Sequence, residues 1–149
     1  MEYRIAGKAD MEEFAKHRVE FAASIRDIPD AKSFYRDTEN YLKEHIEKDD
    51  LLIFLAIDCG KIVASCMACI FETAPVPSSP SGKCAVVLNV YTIEGYRRKG
   101  HAEKLMTLLL SEAKKRGVQM LLLDYTDDGF HLYQKLGFQI SENMMQLNL

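Results

Sequence analysis

The sequence lacks an excess of basic residues. Its 149 residues include 19 Lys and Arg against 22 Asp and Glu, which gives a formal net charge of -3. Proteins that bind nucleic acids or anionic membranes over an open surface usually carry a clear basic excess. The composition therefore argues against nucleic-acid and membrane partners, and it requires any anion-binding site to be local.

Long apolar runs are missing as well. No run approaches the roughly 20 residues that a membrane-spanning helix needs, and the first residues, MEYRIAGKAD, contain no apolar core of signal-peptide length. We therefore expect a cytoplasmic protein. The content of 48% hydrophobic and 28% charged residues is ordinary for a globular chain of this length, which predicts one domain over residues 1–149 without a linker.

Cysteine is sparse, and its spacing offers a single CxxC pair. Cys66 and Cys69 stand in KIVASCMACIF, which is predicted to be a strand. Side chains three residues apart in a strand point to opposite faces, and no second pair accompanies them. A metal site is the alternative for this pair, but we predict free thiols and no bound metal.

Hydrophobic periodicity predicts two helices and a hairpin in the first half of the chain. After a short strand, EYRIA, the segment MEEFAKHRVEFAASI is predicted to be a helix with Asp10 as its N-cap and Glu13 in a capping-box position. SFYRDTENYLKEHIEK is a second helix, and LLIFLAI and IVASCMACIF, joined by DCGK, form an antiparallel hairpin. Thr73 to Lys83, rich in proline and serine, is a loop of a length that often borders a site.

A strand, a helix and another strand follow in the second half. CAVVLNVYT is predicted to be a buried strand, and the helix after it ends at Gly117. The apolar positions of this helix are Ala102, Leu105, Met106, Leu109 and Ala113. VQMLLLDY is apolar enough for a central strand buried on both faces, and the order of these elements predicts parallel pairing. DDGFHLYQKLGF is predicted to be a short helix ending at Gly137, and QISENMMQLNL a last strand.

The turn between CAVVLNVYT and the next helix carries three consecutive cations, Arg97, Arg98 and Lys99, directly before Gly100. Backbone N–H groups point outward at such a turn, and a helix that begins there adds the positive end of its dipole. Glycine lets the backbone approach a ligand closely. The segment therefore predicts a small anion site where backbone amides hold the anion and the cations attract it. Neither of the common nucleotide-binding glycine motifs occurs there.

The pattern that does fit is Arg-x-x-Gly-x-Ala, formed by Arg97, Gly100 and Ala102 and followed about thirty residues later by LYQKLGF. With these motifs the chain resembles the GNAT superfamily of acyl-CoA-dependent N-acetyltransferases over most of its length. The resemblance implies an α/β (α+β) fold: a mixed, mainly antiparallel sheet flanked by helices, with a parallel strand–helix–strand crossover at its centre. It also implies acetyl-CoA as co-substrate.

In that family the coenzyme A pyrophosphate lies on the amides of the Arg-x-x-Gly-x-Gly/Ala loop. The resemblance therefore implies cofactor binding at Arg97, Arg98, Lys99, Gly100, His101 and Ala102, with the pantetheine arm on Val90, Tyr91 and Thr92. Two positions depart from the family pattern. Glu94 stands where many relatives have proline, and Thr126 where many have asparagine, although a threonine can still hydrogen-bond the pantetheine arm.

The same resemblance implies how the reaction proceeds. The backbone N–H of Val90 or Tyr91 faces the oxygen on which negative charge develops. Tyr133, in LYQKLGF, matches the family's tyrosine; a phenol with a pKa of about 10 can protonate the leaving thiolate, although a packed aromatic residue is the alternative. The general base has no fixed position in the family, and its candidates are Glu20, Glu72, Asp124 and His131. The other histidines, His17, His45 and His101, show no ligand spacing.

We expect direct attack of an amine on the thioester, because the sequence offers no convincing Cys–His nucleophile arrangement. The acceptor is a primary amine of an unidentified small molecule or peptide, selected by the first two helices, the Pro/Ser-rich loop and the C-terminal strand. The alternative is an acyl-CoA-binding sensor without turnover. A nucleotide-binding or nucleic-acid-associated domain is disfavoured by the missing phosphate motifs and the acidic balance. The apolar strand NMMQL could extend a sheet across a homodimer.

Overall fold

The computed structural model describes residues 1–141 and 144–149. Each strand and helix begins and ends close to the position that its hydrophobic pattern predicts. The described strands are β1 (Glu2–Ile5), β2 (Leu51–Asp58), β3 (Lys61–Glu72), β4 (Lys83–Thr92) and β5 (Met120–Leu123). The described α-helices are α1 (Met11–Ile25), α2 (Ala31–His45), α3 (His101–Lys115) and α4 (Asp127–Lys135).

The described strands form one sheet in the order β1-β2-β3-β4-β5. All neighbours are antiparallel except β4 and β5, which run parallel from Cys84 opposite Met120 to Val87 opposite Leu123. The mixed, mainly antiparallel fold is therefore confirmed. The parallel pair differs in one respect from the prediction, because it lies at an edge of the described sheet rather than at its centre. β5 pairs there with β4 alone, so its residues are half-buried instead of buried on both faces.

Helices cover both faces of the sheet, and alternate strand residues face each layer. One core lies under α1 and α2 and includes Met11, Phe14, Leu42, Ile53 and Leu55. The other lies under α3 and includes Leu52, Phe54, Leu105, Met106 and Leu109. Cys66 belongs to the α3 side and Cys69 packs on the α1 side, so the two thiols point to opposite faces as predicted. Burying each large apolar side chain contributes about 1.5–3 kcal/mol.

The start of α1 differs from the predicted capping box. Asp10 precedes the helix, but its carboxylate accepts two hydrogen bonds from Arg4, at 2.7 and 2.8 Å, and a third from the Gly7 amide at 2.7 Å. Glu13 accepts instead from the amide of Ile62 on β3, at 2.9 Å. The guanidinium is the stronger partner because its hydrogen bonds to a carboxylate are charge-assisted. Arg4 also holds the pKa of Asp10 below its ordinary value.

The predicted β2–β3 hairpin is confirmed. The neighbouring strand pair, β3 and β4, contains a β-bulge. Cys59 and Gly60 form the tight β2–β3 turn with φ of 48° and 77°. Between β3 and β4 the register shifts, because Met67 faces Asn89 while Ala68 faces Val87. Leu88 is therefore the extra residue of a β-bulge, a feature that re-aims neighbouring side chains.

The Pro/Ser-rich loop lies at the end of β4 opposite to Gly100. Its two ends are joined by a hydrogen bond of 2.8 Å from the Thr73 amide to the Gly82 carbonyl, and a Cβ on Gly82 would overlap the Thr73 carbonyl. Lys83, predicted as the last loop residue, is the first residue of β4. Since β4 spans 10 residues, the loop does not border the turn at Gly100, and its part in acceptor selection stays a prediction.

The predicted last strand, QISENMMQLNL, includes residues 142 and 143, which lie outside the described residues. Residues 139–141 and 144–149 are in no strand, so the prediction is wrong for them. Their backbone pairs with no described strand, and Met145 and Leu147 are 97% and 82% exposed. The homodimer inferred from NMMQL stays a prediction. None of the helices in the described residues is long and apolar enough to cross a membrane.

Candidate active site beside strand β4

An open backbone edge runs along the second half of β4. β5 ends at Leu123, opposite Val87, so the residues from Leu88 to Thr92 have no described strand on that side. A cleft of about 740 Å³ opens between β4, β5 and α4, and Leu88 and Tyr133 line it. An extended ligand can therefore lie along β4 with its end in the cleft, pairing with backbone groups as another strand would.

The turn after β4 presents a row of backbone donors. Gly100 and Arg98 both have left-handed φ, at 82° and 62°. None of the amides from Arg98 to Glu103 donates to an acceptor in the described residues, and the first bond of α3 runs from the Lys104 amide to the Gly100 carbonyl at 3.0 Å. Successive free amides in a concave turn at a helix N-terminus form an anion-binding site. The turn thus has the geometry that the sequence predicts.

Two of the three cations in this turn are used to brace it. Arg97 donates from Nε to the Thr92 carbonyl at 3.0 Å, and Lys99 donates from Nζ to the Gly95 carbonyl at 2.9 Å. Arg98 makes no hydrogen bond or ion pair with the rest of the described chain. Arg98 is therefore the cation whose guanidinium is available to an incoming anion, while the other two also fix the shape of the turn.

The other predicted cofactor residues lie around the same cleft and turn. His101 is 8% exposed, with Nδ1 at 2.7 Å from the Tyr3 hydroxyl, which ties the start of α3 to β1. Ala102 is half-buried in the first turn of α3. Thr126 is the N-cap of α4, but its side chain makes no capping bond. The Thr126 hydroxyl is therefore not committed to the helix start.

Val90 and Tyr91, the predicted sources of the oxyanion N–H, point their side chains to opposite faces of the sheet. Val90 packs on the α3 side, whereas the Tyr91 ring lies 4.9 Å from the His17 ring on the α1 side. Both residues belong to the stretch of β4 that β5 leaves unpaired. The backbone N–H and C=O groups of a strand point alternately to its two sides, so alternate residues of this stretch can present these groups to a ligand.

Tyr133 lines the cleft from α4. Its ring meets the Phe138 ring edge-on at 5.9 Å, and its hydroxyl makes no hydrogen bond to a described residue. Burial raises the pKa of Tyr133 to about 12, so the phenol is protonated at neutral pH. The ring thus packs while the hydroxyl stays available as a proton donor, and both interpretations drawn from the sequence fit the geometry.

The four candidate bases are separated by the fold. Glu72 ends β3 opposite Lys83, at the end of β4 away from the Gly100 turn, and it does not line the cleft. Glu20 lies on α1 beside a separate groove that reaches the β2–β3 turn. His131 is exposed on α4. Asp124, directly after β5, lines the cleft, so it is the candidate carboxylate that the structure places there.

A buried polar chain beside the bulge was missed by the sequence reasoning. Asn89 Nδ2 donates to Ser65 Oγ at 2.8 Å, and Ser65 Oγ lies 3.0 Å from His17 Nδ1. All three side chains are at most 5% exposed, and His17 Nε2 and Asn89 Oδ1 have no partner in the described residues. The available signal was the polar Ser65 and Asn89 within otherwise apolar strands.

Acid is expected to destabilise the fold through His17. Burial lowers the pKa of His17 to about 4, so the folded protein holds it neutral, whereas the unfolded chain protonates it below about pH 6.5. This contribution to stability is complete above about pH 6.5 and is lost as the pH falls toward 4. From pH 7.5 to 4.5, we expect the free energy of unfolding to fall roughly 2–3 kcal/mol more in the wild type than in His17→Gln.

Urea unfolding at the two pH values measures this difference. The exposed His131 provides a control, because His131→Gln should keep the full wild-type pH dependence. Only the change with pH is compared, since His17→Gln lowers stability at both values by disturbing its bond to Ser65. An equal acid loss in the wild type and in His17→Gln would contradict the buried neutral imidazole.

Gly129 makes room for the Tyr133 ring. A Cβ at Gly129 would lie 2.8 Å from Cε2 of Tyr133, closer than real Cβ contacts allow. Alanine favours a helix by about 1 kcal/mol over glycine, but here it displaces the ring. We expect Gly129→Ala to keep the melting temperature close to the wild-type value while turnover falls about 10-fold, because small misplacements of a reacting group are costly.

The matched control for this substitution is Gly7→Ala, where the nearest atom to a new Cβ is 3.9 Å away. It should leave both turnover and melting temperature unchanged. A rate in Gly129→Ala equal to that of the wild type would show that the ring position is irrelevant to turnover.

The open edge of β4, the amide-rich turn and the cleft together form a site suited to an extended ligand with an anionic group. Comparison with known proteins identifies the family. The sequence matches the model of the acetyltransferase (GNAT) family over residues 13–138. This match covers most of the chain, and the protein therefore belongs to the GNAT acetyltransferase family. No curated protein is a significant match to the sequence.

Solved structures with the same fold include acetyltransferases. A predicted acetyltransferase from Clostridium acetobutylicum, solved with acetyl-CoA, has a TM-score of 0.91 at 22% identity, over 99% of this chain and 95% of that one. A GCN5-related N-acetyltransferase from Ralstonia eutropha JMP134 has a TM-score of 0.86 at 23% identity, over 99% and 97%. A transcriptional regulator from Bacillus halodurans C-125 has a TM-score of 0.77 at 19% identity, over 99% of both chains. Identities this low show the shared fold alone.

Proposed function

We propose that the protein transfers an acetyl group from acetyl-CoA to a primary amine of a small-molecule or peptide acceptor, by direct attack. The observation that carries this proposal is the row of free amides from Arg98 to Glu103, which adjoins the open edge of β4 and the cleft. Family membership supports acetyl transfer in general. The geometry supports the choice of a donor that combines a pyrophosphate with an extended arm.

The residues present fit the pyrophosphate, the 3′-phosphate and the pantetheine arm of acetyl-CoA. The amides around Gly100 would hold the pyrophosphate, and the available guanidinium of Arg98 suits the adenosine 3′-phosphate. The unpaired stretch from Val90 to Thr92 would pair with the amide groups of the pantetheine arm. No three His, Cys, Asp or Glu side chains within residues 1–141 and 144–149 are grouped closely enough to hold a metal ion.

The proposed reaction exchanges one bond to the acetyl carbon for another. A C–N bond forms as the amine attacks, and the C–S bond breaks. The backbone N–H of Val90 or Tyr91 stabilises the negative charge on the acetyl oxygen. Tyr133 donates its proton to the sulfur as the thiolate leaves. The proton released by the amine passes to Asp124, the carboxylate in the cleft, or to water.

An acyl-CoA sensor is the second candidate. One solved structure of this fold, at a TM-score of 0.77, is a transcriptional regulator, so the fold is compatible with a regulatory role. A sensor needs the amide-rich turn but not a proton donor at the cleft. The available Tyr133 hydroxyl therefore favours the enzyme, and only the enzyme releases free thiol.

Differential thermal melting tests the proposed donor. Acetyl-CoA should raise the melting temperature by several degrees at 1 mM, because a ligand in large excess over its Kd stabilises the folded state by about 3–4 kcal/mol. ATP should not, since it lacks the pantetheine arm. Equal stabilisation by both ligands would contradict the proposal.

Mass spectrometry of the protein after incubation with acetyl-CoA tests direct attack. It should show no added acetyl group, and an acetyl-cysteine would contradict direct attack.

A further inference from the structure

Arg18 reaches across from α1 to the bulge in β4. Its Nη1 donates to the carbonyl of Leu88 at 3.1 Å. Leu88 is the extra residue of the bulge, and it lines the cleft together with Tyr133. The guanidinium therefore lies beside a residue that lines the cleft, at the bulge where the sheet opens.

Among the described residues, no carboxylate compensates the charge of Arg18. No carboxylate oxygen of the described residues lies within 4 Å of its guanidinium, although the residue is half-buried. The comparable arginines are paired: Arg4 with Asp10 at 2.7 Å, and Arg116 with Glu112 at 3.1 Å. A partly desolvated guanidinium without a counterion lowers stability unless an anion is supplied.

The acidic groups close to Arg18 do not neutralise it. They are the Cys69 thiol and the Tyr41 phenol, and the phenol donates to the sulfur at 3.4 Å. Burial raises the pKa of both groups, so both are uncharged at neutral pH. Burial also lowers the pKa of Arg18, but from so high an ordinary value that arginine remains charged.

Most of the hydrogen-bonding capacity of Arg18 is also unused. A guanidinium has five N–H donors, and the Leu88 carbonyl occupies one of them. The remaining donors form a planar fork that matches a carboxylate or a phosphate with two parallel bonds. Holding the bulge requires only the single bond to the carbonyl. The charge and the remaining donors of Arg18 have no partner among the described residues.

We propose that Arg18 binds an anionic group, a carboxylate or a phosphate, on the amine acceptor. This inference rests on the acetyl transfer proposed above, and it narrows the acceptor to amines that carry a negative charge. Binding the anion at the bulge places the amine end of the acceptor toward Tyr133 and the acetyl group. Arg18 then selects the acceptor, while the amide turn binds the donor.

Matched amines test the selection. Each of four test compounds carries a primary amine. 4-Aminobutyrate adds a carboxylate, phosphoethanolamine adds a phosphate and putrescine adds a second cation, whereas n-butylamine has no second charged group. We expect kcat/KM with the better of the two anionic amines to exceed that with n-butylamine by about 10-fold or more, since a charge-assisted bidentate pair is worth about 1.5–3 kcal/mol. Putrescine should be the poorest. The comparison of carboxylate with phosphate tells which anion Arg18 prefers.

The variants separate recognition from structure. In Arg18→Gln the ratio of kcat/KM for the preferred anionic amine over n-butylamine should fall to about one, and in Arg18→Lys, which keeps the charge but loses the fork, to an intermediate value. The exposed Arg26, just after the end of α1, provides the control, and Arg26→Gln should keep the wild-type ratio. An unchanged ratio in Arg18→Gln would contradict the proposal and leave Arg18 as a brace for the bulge.

A binding measurement keeps this test independent of turnover. Calorimetric titration of the protein saturated with coenzyme A should show 4-aminobutyrate or phosphoethanolamine binding at least about 10-fold more tightly than n-butylamine, with the difference lost in Arg18→Gln. Binding of the anionic amine without thiol release would refute the acetyl transfer but uphold the anion site. Thiol release without any preference for anionic amines would uphold the transfer and refute the anion site.

Discussion

Gly100→Val is expected to weaken acetyl-CoA binding by about 100-fold or more, which corresponds to roughly 3 kcal/mol. Gly100 has a φ of 82°, a conformation that a β-branched residue resists strongly. Valine therefore rotates the backbone and turns the amides at the start of α3 away from the anion. A Cβ at this position meets no described atom within 4 Å, so the expected loss comes from backbone geometry and from occupied ligand space. Calorimetric titration with acetyl-CoA measures the effect.

Two variants show whether the backbone or the side chains hold the anion. Gly95→Val places the same side chain in the same turn at a residue with ordinary φ and open space, so it should bind acetyl-CoA nearly as the wild type does. Arg98→Ala should weaken binding only several-fold, and added salt should diminish the difference, because exposed charges are screened. Equal losses from Arg98→Ala and Gly100→Val would contradict the assignment of the main contacts to the amides.

Tyr133→Phe is expected to lower kcat by about 100-fold or more, while the affinity for acetyl-CoA changes little. The substitution removes only the hydroxyl, and the ring keeps its edge-on contact with Phe138 at 5.9 Å. Without the phenol, the thiolate leaves unprotonated or takes its proton from water. Steady-state thiol release with the best amine found gives kcat, and titration with acetyl-CoA gives the affinity.

Tyr35→Phe is the matched control, because Tyr35 lies on α2 and packs against the core on the opposite face of the sheet. It should keep the wild-type kcat. The wild-type rate should also show no alkaline decline between about pH 8 and 10, since a donor with a pKa of about 12 stays protonated there. A Tyr133→Phe variant that retains more than half of kcat would leave this tyrosine as a packed aromatic residue.

The sequence predicts α3 and its turn well because both depend on local patterns. Leu105, Met106 and Leu109 recur at helical spacing, and they are fully buried under the sheet. Gly100 was predicted from its place between an apolar strand and an amphipathic helix, and its positive φ agrees with that role. Local backbone requirements and apolar periodicity are properties that a single sequence displays directly.

Features that depend on distant partners were not predictable in the same way. Asp10 is the N-cap residue of α1 as predicted, but its carboxylate does not bond the helix amides because Arg4 on β1 binds it. The predicted central position of β5 is wrong, because an apolar run does not reveal whether a strand has a neighbour on each side. Its LLL core is compatible with a central strand, yet only β4 pairs with it in the described chain.

The acceptor side of the site shows the same limit. Arg18 meets the Leu88 carbonyl across 70 positions of the sequence, and His17 meets Ser65 across 48. Both contacts require the packing of α1 on the sheet, and the first also requires the one-residue bulge in β4. No spacing rule links such residues, whereas the turn of the donor site is contiguous in sequence. The proposed donor could therefore be inferred from the sequence, and the proposed acceptor class only from the structure.

Thiol release from acetyl-CoA in the presence of the four matched amines tests acetyl transfer most directly. We expect amine-dependent release, with one acetylated amine formed for each free coenzyme A, and a rate about 100-fold or more lower in Tyr133→Phe. The contradicting result would be that acetyl-CoA stabilises the protein but releases no thiol with these or any other amine or peptide acceptors. That result would identify the protein as a sensor of acyl-CoA.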